Sequence, residues 1–193
     1  SADQEALNQA AALIYAIPDA RYIVDTLSDK RVRLGFAALT EAWGLFSGSE
    51  NLIVFDQRLR GYDRHDLAGV MGHEGQHAYD FHTYGPMRRG DDCYAREYRA
   101  FVVAAALWQS WYGPGGKANP TNGYERDANE ILLALQTDPE IFEAWLLEAY
   151  AEQCGPLSGV VRAPFITGPG LAHPAAGLPA FARALLPGAE QRL

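Results

Sequence analysis

The sequence predicts an α+β protein. Short runs with β-type composition fall before residue 56, and long stretches free of proline, suited to helices, dominate afterwards. A chain of 193 residues that is 48% hydrophobic and 11% aromatic has the size and apolar content of one domain. We expect this domain over residues 1–154, with a sheet and the principal helix in 1–90 and a mainly helical part in 91–154. Residues 155–193 are rich in proline and glycine and are expected to form a tail.

The first third of the chain is expected to supply one helix and three strands. Residues 4–17 have helical composition and end near a proline. Residues 22–27 alternate partly between apolar and polar and predict a strand, with residues 32–36 as its hairpin partner. A third strand is expected within 43–55, after a turn at 48–51. Together these strands predict a small, mostly antiparallel sheet behind the next helix.

That next helix is predicted from Leu67 to about His82, with Asp66 as its N-cap. Glycine recurs every third residue in it, at positions 69, 72 and 75. Each glycine costs a helix about 1 kcal/mol relative to alanine. Three of them on one strip therefore predict close backbone packing against the sheet or the following helix.

The same helix contains the run His73-Glu74-Gly75-Gln76-His77, which has the pattern H-E-x-x-H. Residues i and i+4 lie on one face of a helix, so both imidazoles can point at one metal ion. Glu74 lies beside them, where its carboxylate can reach a water molecule on that metal. Two imidazoles and a carboxylate in this order are typical of a zinc hydrolase.

The second half of the chain is predicted to be helical. Residues 93–112 form a helix capped by Asp91 or Asp92 and ended by Gly113, and the apolar stretch at 101–108 predicts a central position for it. Residues 122–136 and 139–153 predict a helical pair. One further short helix is expected at 178–186, within the tail.

A catalytic zinc site uses three protein ligands and keeps one position open, so a third ligand is needed. Glu97 is the predicted ligand, because it lies twenty residues after His77 in the first turns of the next helix. A carboxylate there can face the motif helix across a helix–helix contact.

At this point the sequence resembles the gluzincin branch of the zincin metallopeptidases. The resemblance is carried by His73-Glu74-Gly75-Gln76-His77 and Glu97-Tyr98-Arg99-Ala100-Phe101, and it covers about residues 50–112. It implies a zincin-like fold, zinc binding by His73, His77 and Glu97, and Glu74 as general base. Phe101 departs from the pattern, since many gluzincins have there an aspartate that orients a ligand histidine. Asp80, Asp91 and Asp92 are the alternative sources of such a carboxylate.

Other ligand sets are less consistent with the sequence. A metzincin would have glycine and histidine three and six residues after the second motif histidine, where this chain has Asp80 and Thr83. Cys93 lies one turn before Glu97 and could bind zinc, although a buried apolar cysteine is the better interpretation. Cys93 and Cys154 could pair or both be reduced, and Glu97 could instead be a surface residue that pairs with an arginine.

The sequence is compatible with more than one role for several residues near the predicted metal site. Leu52–Phe55 could be an edge strand that pairs with an extended substrate or an ordinary sheet strand. His65 is expected to be a surface or capping residue, and His173 in the tail could reach the open metal position. The candidate donors to an oxyanion are Tyr94, Tyr98, Tyr112, Tyr124 and His82.

The predicted function is that of a zinc-dependent metallopeptidase, in which Glu74 activates a zinc-bound water to hydrolyse peptide bonds. The alternatives are a zinc-binding protein of this fold with a regulatory or binding role, and hydrolysis of another amide. A net charge of −8 and a pI near 5.0 argue against nucleic acid as a partner. No signal peptide or membrane span is evident, which predicts a soluble chain, although a processed start would look the same.

Overall fold

The structure is a computed structural model, and it describes residues 1–157 and 180–185. The predicted α+β class is confirmed in its coarse form, as a mostly helical protein with a small three-stranded sheet. The helices are α1 (Ala2–Tyr15), α2 (Arg21–Asp29), α3 (Arg64–Tyr84), α4 (Asp91–Tyr112), α5 (Gly123–Thr137), α6 (Pro139–Ala149), α7 (Ala151–Cys154) and α8 (Ala180–Arg183). The strands are β1 (Arg33–Ala37), β2 (Gly44–Ser47) and β3 (Leu52–Asp56), and short 3-10 turns occupy Pro18–Ala20 and Gln57–Gly61.

The sheet has the order β1-β3-β2 and is mixed rather than mostly antiparallel. Strand β1 pairs in parallel with β3, and β2 pairs antiparallel with β3. The region 43–55 therefore holds two strands, joined by the expected turn, in which Asn51 has a φ of 49°. The proposed edge strand at 52–55 is β3, which lies in the centre, so that interpretation is wrong. The edge strand on this side of the sheet is β2.

The strand predicted at 22–27 is wrong, because this segment belongs to helix α2. Ile23 and Leu27 lie four residues apart and are both buried, at 0% and 7% exposure, which is the spacing of one helical face. Pro18 starts the 3-10 turn that leads into the helix. The partial alternation of apolar residues was therefore a fragment of a helical repeat.

Helix α3 is the centre of the fold and is longer than predicted. It packs against β2 and β3 and against α1, α2 and α4. Its N-cap is Asp63, whose side chain accepts from the backbone N–H of His65, whereas Asp66, predicted as the cap, is fully buried in the first turn. The chain thus enters the helix one turn earlier than the cap preference alone indicated.

The glycines of α3 are in close contact with neighbouring elements, but not along one backbone strip. A Cβ at Gly69 would overlap the hydroxyl of Tyr124 on α5, and one at Gly72 would overlap Leu107 on α4. A Cβ at Gly75 would overlap Ile23 on α2. The three glycines therefore admit side chains from three helices, and only the contact at Gly72 involves the following helix as predicted.

Helix α4 is central, as its apolar composition predicted, and Val102, Val103 and Leu107 are fully buried. Its N-cap is Gly90 rather than an aspartate. The predicted pair of C-terminal helices is present as α5 and α6, and α7 adds one more turn.

Short helix α8 lies within the predicted 178–186 and packs against α4. The tail was expected to begin at residue 155, and most of it lies outside the described residues, His173 included. In the part of the chain that the structure describes, no helix combines the length and apolarity needed to span a membrane.

Candidate metal centre

Two helices supply the side chains of the candidate site, and the segment between them sets their alignment. Residues 85–90 reverse the chain between α3 and α4, with glycines of positive φ at both ends, Gly85 at 83° and Gly90 at 81°. This conformation is costly for other residues, so glycine is suited to both positions. The helices are further joined by a buried ion pair in which Arg99 Nη2 lies 2.7 Å from Asp80 Oδ2.

The three predicted ligands come together at one point. His73 Nε2 and His77 Nε2 lie 3.2 Å apart, and Glu97 Oε2 lies 3.6 Å from the first and 3.3 Å from the second. Their side chains are only 14%, 10% and 3% exposed. The structure thus brings together residues from the third and fourth turns of α3 and from the second turn of α4.

This spacing fits a metal ion. A tetrahedral ion with bonds of about 2.0–2.1 Å to nitrogen and oxygen separates its donor atoms by about 3.3–3.4 Å. The three observed separations bracket that value. Two imidazole nitrogens and a carboxylate oxygen are also donors that bind divalent transition metals. The group His73, His77 and Glu97 could therefore hold a metal ion.

The electrostatics of the group show how strongly its members interact. Burial acts to lower the pKa of His77, but the carboxylates of Glu97 and Glu74 outweigh it and raise that pKa to about 9. Burial acts to raise the pKa of Glu97, but the imidazoles of His77 and His73 hold it well below its usual range. Glu97 is therefore favoured in its charged form, opposite the two imidazole rings.

Glu74 lies beside the donor group at the foot of strand β2. Its side chain occupies the space that a Cβ on Gly44 would need, at 2.7 Å from Glu74 Cγ and 2.9 Å from Glu74 Oε1. Burial raises the pKa of Glu74, and the nearby imidazoles and the backbone N–H of Phe46 oppose the shift. A glycine at 44 therefore lets the edge strand lie directly against this carboxylate.

The donor group opens into a cleft of about 290 Å³. Around the donor group its lining comes from strand β2 and the turn after it, from the loop after α3, and from the end of α6 and α7. Leu45 is 56% exposed and Met87 is 39% exposed in this cleft. The lining residues are Ala42, Gly44, Leu45, Phe46, Gly48, Ser49, His73, Glu74, His77, Phe81, Pro86, Met87, Arg96, Glu97, Tyr150 and Gln153.

Two residues of the cleft that contact Glu97 were not predicted from the sequence, Tyr150 and Gln153. Gln153 Nε2 donates to Glu97 Oε1 over 3.0 Å. The Tyr150 hydroxyl interacts with Glu97, and its pKa is raised, first by burial and then by the carboxylates of Glu97 and Glu74. Both lie more than fifty residues after Glu97, and no local pattern marks them.

The disulfide between Cys93 and Cys154 explains how this distant segment reaches the site. The bond joins the first turn of α4 to the last residue of α7, next to Gln153. It also removes Cys93 as a metal ligand and corrects its interpretation as a buried apolar thiol.

The carboxylates considered as partners for the ligand histidines have other contacts. Asp80 is buried and accepts from Arg99 and from Gln76 Nε2. Asp92 accepts from Arg96 Nε and from the backbone N–H of Arg88. His77 Nδ1 is buried and has no hydrogen-bond partner among the described residues. Phe101, at the position of the expected aspartate, packs its ring edge-on against His73 with centroids 4.5 Å apart.

None of the five side chains considered as oxyanion donors lines the cleft. Tyr94 donates to Gly155 O, and His82 interacts with Asn51. Tyr98, Tyr112 and Tyr124 belong to the apolar packing around α4. His65 interacts with the capping residue Asp63, as expected for a capping position.

No protein-family model, no curated protein and no solved structure matches this chain. The chemical interpretation of the site therefore depends on the geometry of its residues.

Proposed function

We propose that the protein is a zinc-dependent metallopeptidase with a zincin-like, gluzincin-type arrangement. One observation carries the proposal: His73 Nε2, His77 Nε2 and Glu97 Oε2 converge within 3.2–3.6 Å, with the carboxylate of Glu74 beside them in an open cleft. The H-E-x-x-H helix next to a small sheet, with the third donor on the following helix, supports the likeness to gluzincins.

The donor set favours zinc among the divalent metals. Three protein ligands of this type, with a fourth position open to the cleft, are the usual composition of a catalytic zinc site. When bound, zinc would supply Lewis acidity that polarises a substrate carbonyl and lowers the pKa of water.

The protein's own groups provide the proton transfers and the binding of charge. Glu74 is placed to accept a proton at its carboxylate and return it to a leaving amine, which is general acid–base catalysis by one residue. Among the described residues Tyr150 is the tyrosine that lines the cleft, and its hydroxyl interacts with Glu97 and lies within electrostatic reach of Glu74, which favours it for binding an oxyanion. The aromatic contacts of Tyr150 with Phe101 hold its ring in this position.

The edge strand supports an extended peptide as the substrate. Trp43 O accepts from Asp56 N, and hydrogen-bonded pairs alternate along an antiparallel ladder. The backbone groups of Leu45 therefore point toward β3, whereas those of Gly44 and Phe46 point toward the free edge, where Phe46 N–H meets Glu74. A peptide that adds to this edge would pass directly over the donor group.

The test is to measure zinc content and cleavage of a broad peptide library for the wild-type protein and for Glu74→Gln. We expect about one zinc per chain in both proteins, and cleavage only in the wild type, because glutamine keeps the shape of the side chain but cannot accept the proton. Loss of the general base is expected to reduce the rate by roughly 10²–10⁴-fold. A matched control is Glu148→Gln, an exposed position on α6 outside the cleft lining, which should cleave normally.

Failure of the wild type to bind zinc would refute the proposal as a whole. Zinc binding without cleavage in either protein would instead favour the second function considered from the sequence, a zinc-binding protein with a regulatory role.

A further inference from the structure

The carboxylate of Glu97 uses its two oxygens differently. Oε2 faces the two imidazoles, whereas Oε1 accepts a hydrogen bond of 3.0 Å from Gln153 Nε2. A glutamate side chain has three rotatable bonds, so a ligand carboxylate needs a second contact to stay in one orientation. Gln153 makes this contact from α7, beside the interaction of the Tyr150 hydroxyl with the same carboxylate.

The segment that carries Gln153 is fastened to the start of α4 by four separate links. Cys154 forms the disulfide with Cys93, and its carbonyl accepts from Gly90 N over 2.6 Å. On either side, Arg89 Nη2 donates to Glu152 O and Tyr94 OH donates to Gly155 O, each over 2.9 Å. The four-residue helix α7 is too short to be stable alone, so these links determine where Gln153 lies.

The links also connect Gln153 to α4, the helix that carries Glu97. They join α7 and the residue after it to the first turn of α4 and the two residues before it, and Glu97 follows one turn later on the same helix. Gln153 and Glu97 are therefore held in one local frame. The backbone at Gln153 is fixed while its side chain is largely exposed, so the side chain adds little to the core.

We propose that Gln153 is a positioning residue that orients Glu97 for metal binding. It tethers Oε1 so that Oε2 remains directed at the point shared with His73 and His77. This inference rests on the proposed metal centre and extends it to a residue from a distant part of the chain.

The test is a competition titration with a chelator that measures the zinc affinity of the wild-type protein and of Gln153→Met. Methionine has nearly the same length and shape but lacks the amide donor. Loss of such an outer contact is expected to weaken zinc binding by roughly 10- to 100-fold. A second readout is the visible absorption spectrum of the Co²⁺-loaded proteins, which is expected to change because the ligand carboxylate is no longer held in one orientation.

The matched control is Gln136→Met. Gln136 also donates a side-chain hydrogen bond to a neighbouring helix, 2.7 Å to Gln109 Oε1, but it lies outside the cleft lining. This variant should bind zinc like the wild type, with an unchanged Co²⁺ spectrum, and thermal melting should show that all three proteins are folded.

The outcomes separate this inference from the function on which it rests. If the wild type binds zinc and Gln153→Met binds it within about twofold with the same Co²⁺ spectrum, the positioning role is refuted and the metal centre stands. If the wild type binds no zinc, the metal centre itself is refuted. A weakened affinity with an altered spectrum in Gln153→Met alone would establish the role.

Discussion

Helices α3 and α4 share two buried polar clusters. The clusters differ in how completely their polar atoms are paired by hydrogen bonds within the protein. In the first cluster, Asp80 accepts from Arg99 and from Gln76, and Tyr22 donates to Gln76 in turn. In the second, the donor atoms of His73, His77 and Glu97 face one another at 3.2–3.6 Å. The polar atoms of the first cluster are paired by hydrogen bonds within the protein. The second cluster directs two imidazole nitrogens and one carboxylate oxygen at one point.

This difference shows which feature of a buried polar group indicates that it is a metal ligand. Both clusters are buried, and both contain a carboxylate opposite cationic or polar groups. Burial and charge are therefore not distinctive, because an ion pair such as Asp80–Arg99 can serve packing alone. Convergence of two imidazole nitrogens and a carboxylate oxygen on one point beside a cleft is distinctive, since a metal ion can bind all three together.

The largest expected effect is a loss of zinc binding when the second cluster, which contains His73, His77 and Glu97, is changed. Glu97→Ala should reduce bound zinc almost to zero, because two imidazoles remain where three ligands were required. The loss in affinity should exceed the roughly 10- to 100-fold that changes to outer contacts cause. Zinc content after dialysis and a chelator titration measure it. Full zinc occupancy in this variant would exclude Glu97 as a ligand.

The next effect should fall on stability instead. Asp80→Ala leaves the guanidinium of Arg99 buried without its carboxylate, and breaking such a pair costs about 3–5 kcal/mol. Urea denaturation in the presence of a chelator measures the loss in the free energy of unfolding. The folded variant should still bind zinc with nearly wild-type stoichiometry. Loss of zinc from folded Asp80→Ala would mean that the two clusters are one unit.

The sequence was most informative where a strong local signal existed. The motif helix was predicted from a long run without proline after an N-cap, and α4 from its apolar stretch and the glycine that ends it. Segment 22–27 was misassigned because six residues with partial alternation are compatible with both periods, and burial of Ile23 and Leu27 against α3 selects the helix. The parallel pairing of β1 with β3 was not predictable, since neighbouring strands are joined as hairpins more often than through a crossover.

For the site, the sequence indicated the residues that belong to a spaced motif and missed those brought in by tertiary structure. Glu97 was predicted because it lies twenty residues after His77, in the first turns of the next helix, where a carboxylate can face the motif helix. Tyr150 and Gln153 reach the cleft through α6, α7 and a disulfide that spans 61 residues. No periodicity encodes such a contact, and the pairing of the two cysteines was the one clue that could have suggested it.

A third buried carboxylate on α3 sharpens the comparison. Asp66 is fully buried near the start of the helix, and its Oδ2 accepts from Asn122 Nδ2 over 2.8 Å. Its Oδ1 is buried without a hydrogen-bond partner in the part of the chain that the structure describes. Within the described residues, however, it belongs to no group of three side chains that could hold a metal ion. We therefore expect the buried carboxylate of Asp66 to have a shifted pKa and not to act as a metal ligand.

The smallest expected effect is the pH dependence that follows from Asp66. Burial raises its pKa from 3.8 to about 6, although the hydrogen bond from Asn122 favours the charged form. Because the folded protein holds this proton more tightly than the unfolded chain, Asp66 costs stability as the pH rises from about 4 to 6, and the cost then stays constant. A shift of about two pKa units corresponds to at most about 3 kcal/mol. Asp66→Asn has no such titration, so in urea denaturation with a chelator it should gain stability relative to the wild type by up to this amount between pH 4 and pH 7. A difference between the two proteins that is constant over this range would show that folding does not raise the pKa of Asp66.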